Sequence, residues 1–280
     1  MTDFGRTLVF GDDGSAEADT SWSWVQNHRW PRWTVEVVTA RTPPPGPPDP
    51  LNAQLRPWSP PVPRLLPETS GVSRTLYMTA DSDPRLVLGR RTDASLLVIG
   101  PRGRGAWKAL HIGSTAEWLL HHPPAPLLVV RDPAPTTRIL VCTDGSLHAR
   151  ATIDALVALP WLTDCTMTVM SVADSSVPDP QRCVDEAIAH LSPWARSVEG
   201  LVVRADPLSL FVNVSRSIVD AITTQRPSVV ALGTRGLGFV KRLQAGSTAS
   251  AICRVAPVNV LLATSAEADP GRAVDAEGQG

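Results

Sequence analysis

Gly233-Thr234-Arg235-Gly236, nine residues, then Gly246-Ser247-Thr248 is the stretch on which the fold turns. It follows Val229-Val230-Ala231-Leu232, an apolar run that reads as a buried strand. It precedes Ala249-Ser250-Ala251-Ile252-Cys253-Arg254-Val255, which suits a helix. Gly233 and Gly236 carry no Cβ, so main chain there can approach a bulky anion. Gly246, Ser247 and Thr248 fall where a helix start presents free N–H groups and the positive end of its dipole. Working outward, the same pattern occurs once before. Gly100-Pro101-Arg102-Gly103, nine residues, then Gly113-Ser114-Thr115 lies at a constant offset of 133. A single G-x-x-G says little. A G-x2-G-x9-G-S-T met twice, each time after an apolar strand, points to phosphate binding by two related units.

A chain of 280 residues is long enough for two domains of ordinary size, in agreement with the repeat. A net charge of −1 gives no electrostatic case for nucleic acid or an anionic membrane surface. Cys142, Cys165, Cys183 and Cys253 lack C-x-x-C spacing and read as buried thiols of a reducing compartment. Residues 1–6 hold no apolar signal core, and no run approaches a membrane span. The expected location is the cytoplasm.

The order of elements repeats as well. In the first half, strands are expected at residues 7–10, 33–40, 72–79, 95–99 and 127–130, with helices at 16–28, 84–91 and 115–122. In the second, strands are expected at 138–143, 166–172, 201–204, 229–232 and 258–263. The helices there are expected at 148–159, 180–198 with a bend near Pro193, and 215–224, with the run after Thr248 as a fourth. Eleven prolines between Pro43 and Pro67 forbid a helix where the second half has one, and predict a surface excursion. The expected organisation is a first domain over 1–132, a linker over 133–137, a second domain over 138–264 and a disordered tail over 265–280. Alternating strands and helices predict an α/β fold. Each half would be a doubly wound five-stranded parallel sheet with helices on both faces.

In such sheets ligands bind at the carboxyl ends of strands where the strand order reverses. The first strand of each half ends in Asp-Gly-Ser, at Asp13-Gly14-Ser15 and Asp144-Gly145-Ser146, and the fourth ends in the glycine loop. If strands one and four are neighbours, the aspartate and the loop share one crevice. A carboxylate suits a ribose or a base edge, with phosphates at the glycine end. Asp-Gly-Ser is also an ordinary turn and helix cap.

These residues resemble the tandem universal stress proteins. The resemblance covers residues from about 5 to 264, and rests on Asp13-Gly14-Ser15 with Gly100, Gly103, Gly113 and Ser114, and on Asp144-Gly145-Ser146 with Gly233, Gly236, Gly246 and Ser247. It implies strand order 3-2-1-4-5 and ATP along the crevice between strands one and four. Asp13 and Asp144 match the nucleoside-contacting aspartate. Gly100, Gly103, Gly113, Ser114 and Thr115 match the phosphate positions, as do Gly233, Gly236, Gly246, Ser247 and Thr248. Ala40 and Val172, near the ends of the second strands, match an adenine-side contact. Arg235 and Thr143 join the second site. The resemblance further implies pairing of the two halves through their last strands, allows a homodimer, and leaves open whether Mg2+ accompanies the nucleotide.

Departures separate the halves. Asp12 adds a negative charge beside the first site where the second has Thr143, and Trp107, Lys108 and His111 crowd the first nine-residue spacer. The first site is therefore expected to be the weaker. No nucleophile–base pair and no lysine-bearing phosphate loop are present, so the expected activity is at most a slow ATPase. The function expected is an ATP-binding stress-response regulator. The alternatives are a nucleotide-free interaction scaffold of the same fold and an adenylating enzyme, which would need an S-G-G-x-D-S type loop that the chain lacks.

Overall fold

The computed structural model describes residues 5–42, 62–103, 112–174, 177–204, 214–236 and 246–265. Most of both nine-residue spacers, most of the proline-rich excursion and the tail therefore lie outside the described residues.

The first half supplies β1 (Thr7–Gly11), α1 (Ala16–Gln26), β2 (Thr34–Ala40), β3 (Arg74–Ala80), α2 (Pro84–Gly89), β4 (Leu96–Ile99), α3 (Ser114–His121) and β5 (Leu127–Val129). The second supplies β6 (Arg138–Cys142), α4 (Leu147–Val157), β7 (Thr166–Ala173), α5 (Pro180–Leu191), β8 (Ser197–Arg204), α6 (Val214–Gln225), β9 (Val229–Gly233), α7 (Ser247–Val255) and β10 (Asn259–Ala263).

The strands run in the order β3-β2-β1-β4-β5-β10-β9-β6-β7-β8. Each half thus has its own 3-2-1-4-5 order, and every pairing within a half is parallel. The two five-stranded sets are continuous. β5 pairs antiparallel with β10, through Val129 with Val260, Leu128 with Leu261 and Leu127 with Leu262. The physical reason is local. Both strands are entirely buried, and apolar apart from Asn259 at the start of β10, at what would otherwise be open edges, and such edges are strongly driven to pair.

The sheet separates two apolar layers. Residues of α1, α4 and α5 pack on one face and residues of α2, α3, α6 and α7 on the other, and each layer draws on both halves. Trp161 of the second half sits among Trp24, His28 and Trp30 of the first, with ring centroids 4.6–6.3 Å apart. His28 is fixed as a neutral tautomer. Its Nδ1 donates to the Trp24 carbonyl (2.7 Å) while Nε2 accepts from the Thr136 N–H (2.9 Å). Burial pushes its pKa down to about 4.

The stretch from Arg131 to Arg138 is tied down along its length. Buried Asn259 accepts from the N–H groups of Arg131 (2.7 Å) and Asp132 (2.9 Å), and the Ser228 hydroxyl accepts from those of Thr137 and Arg138.

Two neighbouring elements depart from expectation. The helix expected over 180–198 stops at Leu191, and β8 begins at Ser197. Pro193 cannot continue the helix. Gly200 then lets α5 lie close on the strand, since a Cβ there would stand 2.7 Å from Val184 Cγ1.

Candidate functional site

At each half's strand-order reversal, the residues after the first strand meet the glycine loop after the fourth. Ser15 and Ser146 cap α1 and α4, accepting from Ala18 N (3.1 Å) and Ala149 N (3.2 Å). The Oδ1 atoms of Asp13 and Asp144 accept from the N–H groups of those serines, both at 3.0 Å. Gly14 and Gly145 turn the chain with φ of 67° and 76°, values that favour glycine. Asp-Gly-Ser is therefore a turn and cap.

It is also more than that. The second carboxylate oxygen of each aspartate lies against the second glycine of the loop. A Cβ on Gly103 would overlap Asp13 Oδ2, and one on Gly236 would stand 2.5 Å from Asp144 Oδ2. The structure brings Asp13 to Gly103 and Asp144 to Gly236, as a shared crevice requires.

The first glycine of each loop has a different reason from the one expected. A Cβ on Gly233 would lie 2.8 Å from Ala149 N, and one on Gly100 3.1 Å from the Glu17 backbone. Gly100 and Gly233 let the strand end pass under the first turn of α1 or α4, which is helix–strand packing rather than room for an anion.

The third glycine closes the loop. Gly113 N donates to Pro101 O (2.7 Å) and Gly246 N to Thr234 O (2.8 Å). Both glycines are the N-caps of their helices, α3 and α7, and neither start has a side-chain cap. The next residues are Ser114, Thr115 and Ala116 in one half, and Ser247, Thr248 and Ala249 in the other. Their first-turn N–H groups thus lack the side-chain acceptor that α1 and α4 possess. Ser114 and Ser247 are exposed, with Thr115 and Thr248 half-buried behind them. An N-terminus left in this condition suits an oxyanion, which accepts from the amides and meets the positive dipole end.

The remaining candidates fall around these cradles. Asp12 N donates to Val38 O, and Thr143 N to Met170 O, both at 2.9 Å. Ala40 and Val172 therefore lie two residues further along β2 and β7. Val172 is 6% exposed, with its side chain in the apolar layer. Arg235 carries a carbonyl that accepts from the Ser146 hydroxyl (3.4 Å). Arg102 pairs with Glu17 (3.1 Å). Trp107, Lys108 and His111 lie outside the described residues. The His122 ring stacks on Trp118, and among the described residues no group of three His, Cys, Asp or Glu is placed to hold a metal.

Arg64 was not visible to sequence reasoning. Its Nε and Nη2 donate to the two oxygens of Asp12, both at 2.8 Å, and its Nη1 donates to Asp19 (2.7 Å). The guanidinium also lies 6.0 Å from the Phe10 ring centroid. Asp12 is buried, so the charge expected to oppose a ligand at the first site is already answered by a two-pronged pair. That ground for a weaker first site is removed. In the second half Thr143 Oγ1 accepts from Gly145 N (3.2 Å), as Asp12 Oδ1 accepts from Gly14 N (2.9 Å). A hydroxyl replaces the carboxylate and no cation is needed.

A doubly wound sheet with an uncapped helix start at its reversal point, duplicated in one chain, defines a pair of fused α/β units. The profile of the universal stress protein family matches residues 72–131 and 135–264, and the chain belongs to that family. A universal stress protein of Synechocystis sp. is 25% identical over 171 residues, covering 60% of this chain and 58% of the relative. One from Mycobacterium tuberculosis is 26% identical over 195 residues, covering 61% and 62%. The matches thus span less than two thirds of those relatives' own length. Among solved structures, a universal stress protein from Archaeoglobus fulgidus aligns over 93% of this chain and 99% of its own, with a TM-score of 0.65 at 17% identity. A functionally unknown protein from Pseudomonas aeruginosa aligns over 98% of both, with a TM-score of 0.58 at 14% identity. These structures share the fold. Among the described residues, no helix is long and apolar enough to cross a membrane.

Proposed function

We propose that the chain binds ATP in two pseudo-symmetric cradles and acts as a ligand-dependent regulator in a cytoplasmic stress response. The observation that carries the reading is the repeated pairing of an uncapped helix start with an aspartate fixed across the second loop glycine. The amides at Ser114–Ala116 and Ser247–Ala249 would hold the phosphates. Asp13 and Asp144 would accept from ribose hydroxyls, and the ends of β2 and β7, near Ala40 and Val172, would border the base. The cradles hold no positioned nucleophile–base pair among the described residues, so the reading is of a binding protein, with slow ATP hydrolysis as its upper limit. The two domains are taken as residues 1–132 and 138–264, joined by 133–137.

The test is to denature the purified full chain, identify the released small molecules, and titrate the emptied protein with ATP by calorimetry. The reading expects ATP or ADP at up to two per chain and saturable heat. A clean supernatant, together with no thermal shift at millimolar ATP, would reject it in favour of a nucleotide-free scaffold.

A further inference from the structure

Along the seam between the halves lies a cavity of about 510 Å3. α1 contributes Glu17 and Thr20 to its wall, the first glycine loop Arg102, the chain after β5 Arg131, and the end of α7 Arg254. Asp13, Gly103, Gly113 and Ser114 do not line it, while Pro101 and Arg102 of the first glycine loop do, so it adjoins the first cradle without including those residues.

Three guanidinium groups around one cavity need acceptors. Arg102 has Glu17 (3.1 Å), and Arg254 has Glu117 across the seam. Arg131 has neither. Its Nη2 donates to the Cys253 carbonyl, while its Nη1 is shut from water and has no hydrogen-bond partner among the described residues. A buried donor left in this state is costly, more so when charged. Burial, and after it the repulsion of nearby Arg102, holds Arg131 below the ordinary arginine range. The residue is also anchored through its backbone N–H to Asn259 Oδ1 (2.7 Å). A pre-positioned cation with no carboxylate partner among the described residues, lining one cavity with a second cation, is suited to a multidentate anion.

We infer that this seam cavity is a binding site for a compact phosphorylated metabolite, whose phosphate lies between Arg131, which has no carboxylate partner among the described residues, and Arg102. A phosphate fits better than a carboxylate, because it has oxygens enough for both guanidiniums and close to two charges near neutral pH. The volume is within the range of small-molecule pockets, roughly 300–1,000 Å3, and exceeds the need of a bare anion. The organic part would lie along Thr20, Val130, Val255 and Pro257. The walls come from both halves, so occupancy cross-links them. The second half offers no equivalent, because the positions matching Glu17 and Arg131 are His148 and Thr264, already bonded to each other (3.2 Å).

The test uses the full chain, with glycerol 3-phosphate and inorganic phosphate as separate probes in calorimetric titration and thermal unfolding. Three variants accompany it. Arg131→Gln keeps a donor for the Cys253 carbonyl but loses the charge and the fork. Thr20→Trp fills the cavity without changing its charge. The double variant Ser114→Asp with Ser247→Asp opposes phosphate at the cradles only. The expected result is saturable binding of glycerol 3-phosphate, tighter than that of phosphate. It should weaken by about tenfold or more in Arg131→Gln, fall in Thr20→Trp, and persist in the cradle variant. Unchanged binding in both seam variants overturns the inference. So does loss only in the cradle variant, no preference for the organic phosphate, or no saturable heat at millimolar probe.

Discussion

The two cradles solve one problem by different means. In the second, Thr143 supports the turn with a neutral hydroxyl, and α5 stands beside it, with Cys183 Sγ near Gly145. In the first, a buried carboxylate does the same task, and the end of the proline-rich stretch brings Arg64 to neutralise it. Around that arginine, Leu65 O accepts from Trp22 Nε1 (3.3 Å) and Gln26 Nε2 (2.8 Å), and the Arg64 carbonyl accepts from the Tyr77 hydroxyl (2.5 Å). A non-helical segment has thus taken over part of a helix's covering role. The lesson is that a charge substitution at a site cannot be weighed alone, because its compensation can come from distant sequence.

The sharpest way to break the comparison is to remove the compensation. Arg64→Met leaves Asp12 buried and unpaired, and should destabilise the protein by about 4 kcal/mol in urea unfolding. The double variant Arg64→Met with Asp12→Thr copies the second cradle and should recover most of that loss. If the single variant is neutral, the pair is not the support described.

A second contrast is His28, whose matching position in the other half is Leu159. The pKa of about 4 in the folded chain lies below the unfolded value of 6.5. The neutral ring's contribution is therefore complete above pH 6.5, falls as pH drops from 6.5 towards 4, and levels off below. The slope approaches about 1.4 kcal/mol per pH unit, or about 3 kcal/mol across the window. Thermal unfolding against pH should show this fall in the wild type and lose it in His28→Gln.

Smaller effects grade the glycine loops. Gly233→Ala should cost about 2 kcal/mol, since the added carbon meets fixed α4 backbone at 2.8 Å, and Gly100→Ala about 1 kcal/mol, since its neighbours stand at 3.1 Å. Denaturation midpoints would rank them. Ser247→Asp and Ser114→Asp should each lower ATP affinity at their own cradle by about tenfold without lowering Tm, because a carboxylate suits an empty helix start. Equal losses at both cradles would show that the two sites are matched despite their different turns.

Much of this was readable from residue order. The paired Asp-Gly-Ser and glycine loops fixed which strand ends had to meet, and the apolar runs marked the strands. What escaped has physical causes. The roles of Gly100 and Gly233 depend on how closely a helix crosses a strand, and no local pattern encodes that distance. Arg64 lies 52 residues from Asp12 near the end of the proline-rich stretch, where periodicity offers no guide. β8 extends beyond its apolar run because its opening, Ser197-Val198-Glu199-Gly200, is largely exposed and polar, as an outermost strand can be.

The contact between β5 and β10 has a further consequence. It consumes the two most apolar rims of the units against each other, and leaves β3 and β8 as the outer borders, both without a fully buried residue. The apolar rims thus lie at the centre of the molecule, and its outer borders are strands whose side chains are half-buried or exposed throughout.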